Sequence, residues 1–239
     1  SSKFADGNKY STFPSVGVGY NLAQEDFIKD LNVFSNLKLR GSWGMTGSQA
    51  IGPYATLSTY NTGTPAAFND AGVLYGIQLG NPGNTHLKWE TTKQINIGLD
   101  LGLLNNAITL SAEYYQRKTD NLILAVPLPP SEGYLTSTVI SNVAAMRNNG
   151  FEFQAGYNER KGDFQWNVTG NLSVITNKVE KLTDGVPNIE AGSDVDLTEG
   201  YNVTNTAPGY AVQSFYGWEN DGIFQSDDEV SKSPFQAAG

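Results

Sequence analysis

The fold is decided by residues 86–121, HLKWETTKQINIGLDLGLLNNAITLSAEYYQRKTDN. Apolar side chains occupy every second position of residues 95–101 and again of residues 108–114. Because successive side chains of a β-strand point to opposite faces, this alternation predicts two strands that share one apolar face. Asn105 and Asn106 tolerate left-handed backbone conformations and predict a tight turn between the strands. The stretch is therefore interpreted as a long antiparallel hairpin.

The length of these two strands indicates a membrane protein. Each arm is extended for roughly a dozen residues, whereas strands of soluble domains usually have about 5–6. A tilted strand that crosses a bilayer needs about 9–11 residues. The polar positions hold Gln, Asn, Thr, Ser and Gly with little charge, as in a water-filled lumen. The pattern predicts lipid on one face and the lumen of a β-barrel on the other.

Composition excludes several classes of protein. The chain has 239 residues, a formal charge of −9, no cysteine and one histidine. Its acidic balance, without a basic patch in the sequence, argues against nucleic acid as a partner. The absence of cysteine excludes a disulfide scaffold and thiolate metal sites. The longest apolar run, residues 122–128, is broken by Pro127 and is too short for a membrane helix. Mean hydropathy is not informative, since only every second residue of a barrel strand meets lipid.

The remaining sequence extends this pattern. Alternation predicts further strands at residues 13–22, 36–47, 150–157 and 164–178, and residues 23–35 could form a short helical turn. Three long polar segments without sustained periodicity are predicted to be loops: residues 48–85, 122–148 and 180–208. Short turns at Asn105-Asn106 and Lys161-Gly162 alternate with them. This asymmetry is typical of outer-membrane barrels, which have short periplasmic turns and long extracellular loops.

Aromatic residues recur near the predicted strand ends. Such residues form girdles at the two membrane interfaces of outer-membrane barrels. The residues predicted to form girdles are Tyr20, Trp43, Trp89, Tyr114, Tyr157 and Trp166.

Several sequence markers, in a fixed order, resemble the SusC/RagA family of TonB-dependent transporters, which are outer-membrane proteins of Bacteroidetes. The markers are FPSVGVGY from Phe13, NLKLRGSWGMTGSQ from Asn36, LKWETTKQINIGLDLGLLNNAITLSAEYYQRKTDNLI from Leu87, NNGFEFQAGY from Asn148, TNKVEKL from Thr176 and FYGWENDGIFQSDDEV from Phe215. They cover almost the whole chain, although the predicted loops carry few of them.

The resemblance implies an all-β fold, an antiparallel transmembrane β-barrel of about 22 strands with a plugged lumen. Residues 1–239 are expected to hold seven or eight strands from its later part, in a chain that belongs to a longer protein and lacks the plug domain and the closing strands. The resemblance also implies import of oligosaccharides or oligopeptides across the cell outer membrane. The expected partners are a SusD-like surface lipoprotein and the TonB energising complex, which would act through the plug.

The sequence does not favour catalysis, a cofactor or a metal. It pairs no nucleophile with a base, and its one histidine, His86, is interpreted as a solvated turn residue. Hard oxygen ligands for calcium could come from one acidic loop, but the spacing is not that of an EF-hand and a solvated loop is favoured. The acidic residues concerned are Glu190, Asp194, Asp196 and Glu199.

The first long loop supplies the substrate-binding candidates Tyr54, Tyr60, Asn61, Phe68 and Tyr75. Aromatic rings stack on sugar or peptide faces, and an amide hydrogen-bonds polar groups of a ligand. The same side chains could instead pack within the loop or against the lipoprotein.

An alternative interpretation is a surface or secreted β-sandwich that binds glycans, for which alternation, aromatics and acidic charge are equally natural. A sandwich should have strands of about 5–6 residues and bury its apolar face between two sheets. A barrel should leave that face uncovered by protein. A surface hydrolase is the least supported interpretation, since no acid and base are paired on defined elements.

Overall fold

The computed structural model describes residues 1–67, 73–136, 138–160, 163–183, 185–193, 200–219, 222–223 and 225–232. The chain divides into two compact units. Unit 1 comprises Ser1–Ile189 and Thr206–Val212, and unit 2 comprises Glu190–Asn205 and Gln213–Gly239.

Unit 1 is built on a six-stranded antiparallel sheet. Its strands, in their order across the sheet, are β1 (Ser15–Asn21), β2 (Phe34–Ser48), β5 (Glu90–Leu103), β6 (Ile108–Pro127), β7 (Thr138–Glu159) and β8 (Trp166–Lys181). A separate hairpin between β2 and β5 consists of β3 (Tyr60–Ala67) and β4 (Val73–Leu79). A 3-10 turn (Leu22–Gln24) and helix α1 (Asp26–Lys29) connect β1 to β2, and a second 3-10 turn (Pro130–Glu132) follows β6.

The register confirms the predicted alternation. Ile97 pairs with Gly41 on one side and with Tyr114 on the other, and this row continues through Phe151 to Val174. Directly paired residues share a face, and the rows through Ile97, Leu99, Leu101 and Leu103 are apolar apart from glycine. The apolar set forms one continuous face, which we call the belt face.

Protein does not cover the belt face in the described part of the chain. Ile97 is 60% exposed, Phe151 47% and Val174 56%. The glycan-binding sandwich required a second layer over this row, and it required short strands. The strands that carry the belt face are instead long, and β7 has 22 residues. The sandwich interpretation is therefore wrong, and the uncovered apolar face is that of a barrel wall.

The predicted turns hold where the structure describes them. Leu104, Asn105 and Asn106 all have positive φ, at 50°, 56° and 62°, so the β5–β6 turn uses the left-handed conformation expected of the two asparagines. The predicted helical turn within residues 23–35 is α1. The predicted turn at Lys161-Gly162 lies outside the described residues.

One predicted loop is wrong. Residues 122–148 are mostly strand, because β6 continues to Pro127 and β7 begins at Thr138. The alternation fails there for a physical reason: the β6–β7 register shifts between Thr119 and Leu122 and again between Leu122 and Ile123, so side chains change face within the strand. Asn121, at the first shift, has a φ of 58°.

Two further expectations need correction. The first long segment, residues 48–85, is not a loop throughout, since it contains the β3–β4 hairpin. The main sheet holds six strands within the described residues, where seven or eight were expected. The other strands of the described residues belong to a two-stranded sheet (β3 and β4) and to a separate three-stranded sheet.

Buried apolar residues cluster at the strand ends rather than on the belt face. One cluster contains Ala144, Val179 and Leu182, against which Leu122 and Leu124 pack. This burial explains the apolar run at the end of β6. In a strand covered on both faces, apolar residues need not alternate with polar ones.

Unit 2 contains the C-terminal described residues. It holds most residues of a three-stranded sheet made of β9 (Ile189–Ala191), β10 (Thr204–Thr206) and β11 (Ser214–Phe215), and helix α2 is Asp227–Lys232. Val203 N donates to Ala191 O (3.2 Å) and Tyr216 N donates to Val203 O (2.8 Å). Across the described ranges, the helices are all too short or too polar to cross a membrane.

Candidate functional site

The candidate site lies at the end of the sheet opposite the β5–β6 turn. We define the loop layer as the described residues of 1–13, 49–89 and 122–144. A buried cluster of Phe4, Ile51 and Leu87 joins its first two segments; Leu87 is fully buried and Phe4 is 2% exposed. Trp89 packs against this cluster, with its ring centroid 5.4 Å from that of Phe4. Apolar burial therefore attaches the N-terminal segment to the first long loop.

Trp89 corrects one girdle prediction. Its ring lies 5.4 Å from Phe4 and 5.5 Å from Phe13, so it belongs to the core of the loop layer and not to a ring of aromatics at a lipid interface. At the turn end of the sheet, by contrast, Tyr157 and Trp166 remain partly exposed on the belt face, with their rings 5.1 Å apart.

Side-chain amides fix the first long loop to the outer end of β7. Asn142 Nδ2 donates to Lys88 O (3.0 Å) and to Asn121 O (2.8 Å), while Asn142 Oδ1 accepts from Lys88 N (2.8 Å). Asn84 Nδ2 donates to Ile140 O (3.0 Å) and to Ser141 Oγ (3.2 Å). One asparagine thus satisfies three backbone groups that the sheet leaves unpaired. The loop is held in a defined position over the strand ends.

Two cavities open within the loop layer. The larger, of about 570 Å³, lies between residues 2–9 and residues 53–57. The smaller, of about 370 Å³, lies between residues 52–59, Asn81 and the start of β7 at Thr138 and Ile140. Both are of the size of small-molecule sites. The linings offer hydroxyl, amide and backbone groups beside apolar surface, which suits a polar ligand of several units.

Tyr54, one of the predicted substrate contacts, lines both cavities. It is 72% exposed, and its φ of 63° places it in the left-handed region, which only a few per cent of residues other than glycine adopt. Backbone strain of this kind is found preferentially at ligand sites. The ring therefore faces open space at the point where the two cavities meet the same loop.

The other predicted contacts lie elsewhere. Tyr60, Asn61 and Tyr75 belong to the β3–β4 hairpin, and among the described residues they are not in the lining of either cavity. Phe68 lies outside the described residues. Tyr60, Val73, Tyr75 and Ile77 share one hairpin face and are 65%, 57%, 74% and 74% exposed. Of the four candidates that the structure describes, Tyr54 lines the cavities and Tyr60, Asn61 and Tyr75 lie on the hairpin.

Sequence reasoning missed the charged lining of the larger cavity. Lys3, Asp6 and Lys9 lie in a segment that was passed over as polar and turn-rich. Lys9 Nζ lies 2.6 Å from Asp6 Oδ1, and this hydrogen bond and charge lower the pKa of Asp6 and raise the pKa of Lys9. Lys3 Nζ donates to Ile51 O (2.8 Å). Phe4, the one large apolar residue before Tyr10, was the available sign that this segment is anchored.

The polar face of the sheet carries its own charge cluster. Arg40 of β2 extends across β5 to hydrogen-bond both Asp100 Oδ2 (3.2 Å) and Glu113 of β6. Ser111 Oγ donates to the other oxygen of Asp100 (2.7 Å). Gly98 lies directly between Arg40 and Glu113, and a Cβ there would be 2.6 Å from Arg40 Cζ. Glycine at this position is what lets the guanidinium lie flat across the strand.

The structure offers no metal centre within its described residues. Groups of three or more His, Cys, Asp or Glu that could hold an ion are absent from that part of the chain. Asp194, Asp196 and Glu199, which the sequence analysis considered as calcium ligands, lie outside the described residues. His86 is exposed in a turn, and its backbone N–H donates to Asn84 Oδ1 (3.0 Å).

An uncovered apolar face, a polar face behind it and long loops at one end define a segment of a membrane β-barrel wall. The chain belongs to the family described as TonB dependent receptor-like, beta-barrel, whose profile matches residues 1–233. The family and the all-β antiparallel barrel fold expected from the sequence are thereby confirmed.

Relatives named as TonB-dependent receptors are similar over nearly the whole chain. TonB-dependent receptor P3 of Formosa agariphila is 37% identical over 94% of the chain. TonB-dependent receptor SusC of Bacteroides thetaiotaomicron is 36% identical over 92% of the chain. The chain spans 22% of the length of each of these two relatives.

Solved structures support the same fold. A chain of the RagAB peptide transporter superposes with a TM-score of 0.77 at 26% identity, covering 93% of this chain and 23% of that one. A chain of the RagAB peptide importer in its closed-closed state gives a TM-score of 0.72 at 25% identity, covering 87% of this chain and 22% of that one.

Proposed function

We propose that this chain is part of the barrel wall and loop layer of an outer-membrane importer that takes up oligosaccharides or oligopeptides. The belt face carries this proposal. From Ile95 to Leu103 it extends about 27 Å along β5 at about 3.4 Å per residue. At a strand tilt of about 40° this length gives about 21 Å of height, which is most of the apolar band of about 25 Å in outer-membrane barrels. The polar face behind it would line the lumen, and no covalent chemistry is required of either face.

The loop layer is the part that would bind the nutrient. On this orientation it lies outside the cell, and its cavities would hold the ligand before release into the lumen. Tyr54 would stack on a sugar ring or a peptide plane, while the backbone and hydroxyl groups of the linings would hydrogen-bond it. The titles of the solved structures support the oligopeptide class, since they name a peptide transporter and a peptide importer.

Two partners complete the proposal. A TonB complex would energise import through the plug domain of the whole receptor. A SusD-like surface lipoprotein would cap the loop layer, and the exposed apolar face of the β3–β4 hairpin is the surface we assign to it. An apolar patch of this kind on a loop exposed to water marks an interaction site. This assignment gives Tyr60 and Tyr75 a role in partner binding instead of ligand contact.

Membrane fractionation with an import assay tests the proposal. The full-length receptor should partition with the outer membrane, need detergent to stay monomeric, and support TonB-dependent uptake of a labelled oligopeptide or oligosaccharide. Tyr54→Ala should weaken uptake by about tenfold, since one stacked ring contributes about 0.5–1.5 kcal/mol beyond its area burial. Tyr10→Ala is the matched control, because Tyr10 is 91% exposed and outside both linings. A receptor that remains monomeric without detergent would refute the proposal.

The lipoprotein surface has its own test. Tyr75→Ser together with Ile77→Ser should reduce co-purification of the lipoprotein with the receptor, while uptake of a ligand small enough to bypass the cap persists. Tyr10→Ser is again the control for an exposed tyrosine. Unchanged co-purification would move the partner surface elsewhere on the loop layer.

A further inference from the structure

A row of four cations ends the belt face on the side of the loop layer. Lys93 of β5 pairs with Lys118 of β6, Lys118 with Arg147 of β7, and Arg147 with Lys178 of β8. We call these four residues the border row. Each lies an even number of positions from an apolar belt residue of its own strand, as Lys93 does from Ile95 and Ile97, so the row shares the outward face of the sheet.

The border row carries more positive than negative charge. Only two carboxylates of the described residues lie within ion-pair distance of it: Asp120, 3.7 Å from Lys93 and 3.8 Å from Lys118, and Glu180, 2.7 Å from Lys118 and bonded to Arg147. Four cations with two carboxylates leave a surplus of two positive charges, in a chain whose formal charge is −9. An ion-pair ladder that served only to hold the strands would not need this surplus.

The charges remain accessible from outside. The side chains of Lys93, Lys118 and Arg147 are 51%, 41% and 42% exposed, whereas that of Glu180 is 21% exposed. The carboxylate therefore lies deeper than the cations that it holds in position. Between the belt face and the border row, Gln116 Nε2 donates to Asn149 Oδ1 (3.2 Å). The outward surface therefore changes from apolar side chains to amides and then to cations.

At the opposite end of the belt face, β7 carries an anion. Two positions beyond Tyr157 on β7 comes Glu159, whose carboxylate accepts a hydrogen bond from Tyr157 Oη (2.9 Å). The positive row belongs to the end that carries the loop layer.

We propose that the border row binds the phosphate groups of acidic lipids in the outer leaflet of the membrane. The inference rests on the proposed function, since the belt face must meet hydrocarbon for its border to meet headgroups. Lysine and arginine at a membrane surface attract anionic headgroups, and arginine bonds phosphate with two parallel N–H groups. The acyl chains of the same lipids would pack on the belt face below, so the ligand is held by charge at one end and by apolar contact at the other.

Lipid binding to the purified full-length receptor tests this. The receptor is extracted in a non-ionic detergent, and lipid A with two phosphates is compared with the same lipid after dephosphorylation, by native mass spectrometry and by thermal stabilisation. The wild type should prefer the phosphorylated lipid. Lys93→Gln combined with Lys178→Gln should reduce that preference about tenfold, and Lys93→Arg combined with Lys178→Arg should restore it.

Lys38→Gln is the matched control, because Lys38 lies on β2 with the polar parity of Arg40 and so faces away from the lipid. It should leave the preference unchanged. Inorganic phosphate alone should not stabilise the receptor, and if it does so as strongly as the lipid, the lipid assignment is wrong. Equal preference in the glutamine variant and the wild type, with both proteins folded and detergent-dependent, would overturn this inference while leaving the proposed function intact. A receptor that needs no detergent would instead refute the proposed function.

Discussion

The loop layer and the six-stranded sheet belong to the same unit but treat apolar side chains in opposite ways. In the loop layer Leu87 is fully buried, whereas on the belt face Val18 is 72% exposed. A large contiguous apolar patch that protein leaves uncovered marks contact with another phase or partner. The difference shows that protein completes the burial of the cluster around Leu87, whereas the belt face completes its burial against hydrocarbon.

The largest expected effect tests the loop layer. Leu87→Ala should cost about 2–5 kcal/mol of local stability, because it removes the centre of the cluster that joins residues 1–13 to the first long loop. Limited proteolysis of the full-length receptor should then cleave residues 49–59 at least about thirtyfold faster. Leu57→Ala, in the same loop but 56% exposed, is the control and should change the rate little. An unchanged rate in the Leu87 variant would mean that hydrogen bonds alone hold the loop.

The next prediction tests whether the belt face meets lipid while the β3–β4 hairpin meets water. Ile97 on the belt face and Val73 on the β3–β4 hairpin are almost equally exposed, at 60% and 57%. Ile97→Arg should destabilise the receptor by about 2–4 kcal/mol in vesicles if that position faces the bilayer interior. Val73→Arg should change stability by about 0.5 kcal/mol or less, as for ordinary surface substitutions. Urea unfolding of both variants in the same vesicles measures the difference, and equal costs would remove the distinction between the two regions.

The same contrast explains how far the sequence could predict the molecule. The belt was predictable because strand periodicity is local: Ile95, Ile97 and their partners alternate without interruption, and Asn105-Asn106 marks the turn. The loop layer was not, because its contacts are non-local. Nothing in the sequence near Leu87 indicates that Phe4 covers it. The two register shifts beside Leu122 likewise concealed a strand, since they move side chains between faces.

The candidate site shows the same limit. Tyr54 was predicted as a ligand contact from the chemistry of aromatic residues in a long loop, and it lines both cavities. Its cavity neighbours Lys3, Asp6 and Thr138 were not predicted, because they come from two distant segments, the N-terminal residues and the start of β7, that only the fold brings to Tyr54. The hairpin residues Tyr60 and Tyr75 were grouped with Tyr54 by sequence proximity, although the structure places them on a different surface.

A smaller effect tests the attachment between the two regions. Asn142→Ala removes the Oδ1 acceptor for Lys88 N and the Nδ2 donor to Lys88 O and Asn121 O. The loss should lower the free energy of unfolding by about 1–3 kcal/mol. The amide of Lys88 should then exchange with deuterium at least about tenfold faster. Asn142→Asp keeps the acceptor for Lys88 N and should preserve most of that protection. If the aspartate variant exchanges as fast as the alanine variant, the amide donor rather than the acceptor fixes the loop.

The smallest effect lies on the polar face, which neither lipid nor the loop layer covers. Gly98→Ala should cost about 1 kcal/mol, because its Cβ would meet the Arg40 guanidinium and push that side chain away from Glu113. Gly17→Ala is the control. Gly17 lies on β1 and on the polar face of the sheet, and a Cβ there would lie at an ordinary contact distance of 3.6 Å from Ser42 Cβ. The decisive measurement repeats Gly98→Ala in an Arg40→Ala background, where the cost should vanish. If the cost persists there, the β5 backbone and not the Arg40 side chain requires glycine at position 98. The path of Arg40 across β5 would then be a consequence of the glycine and not the reason for it.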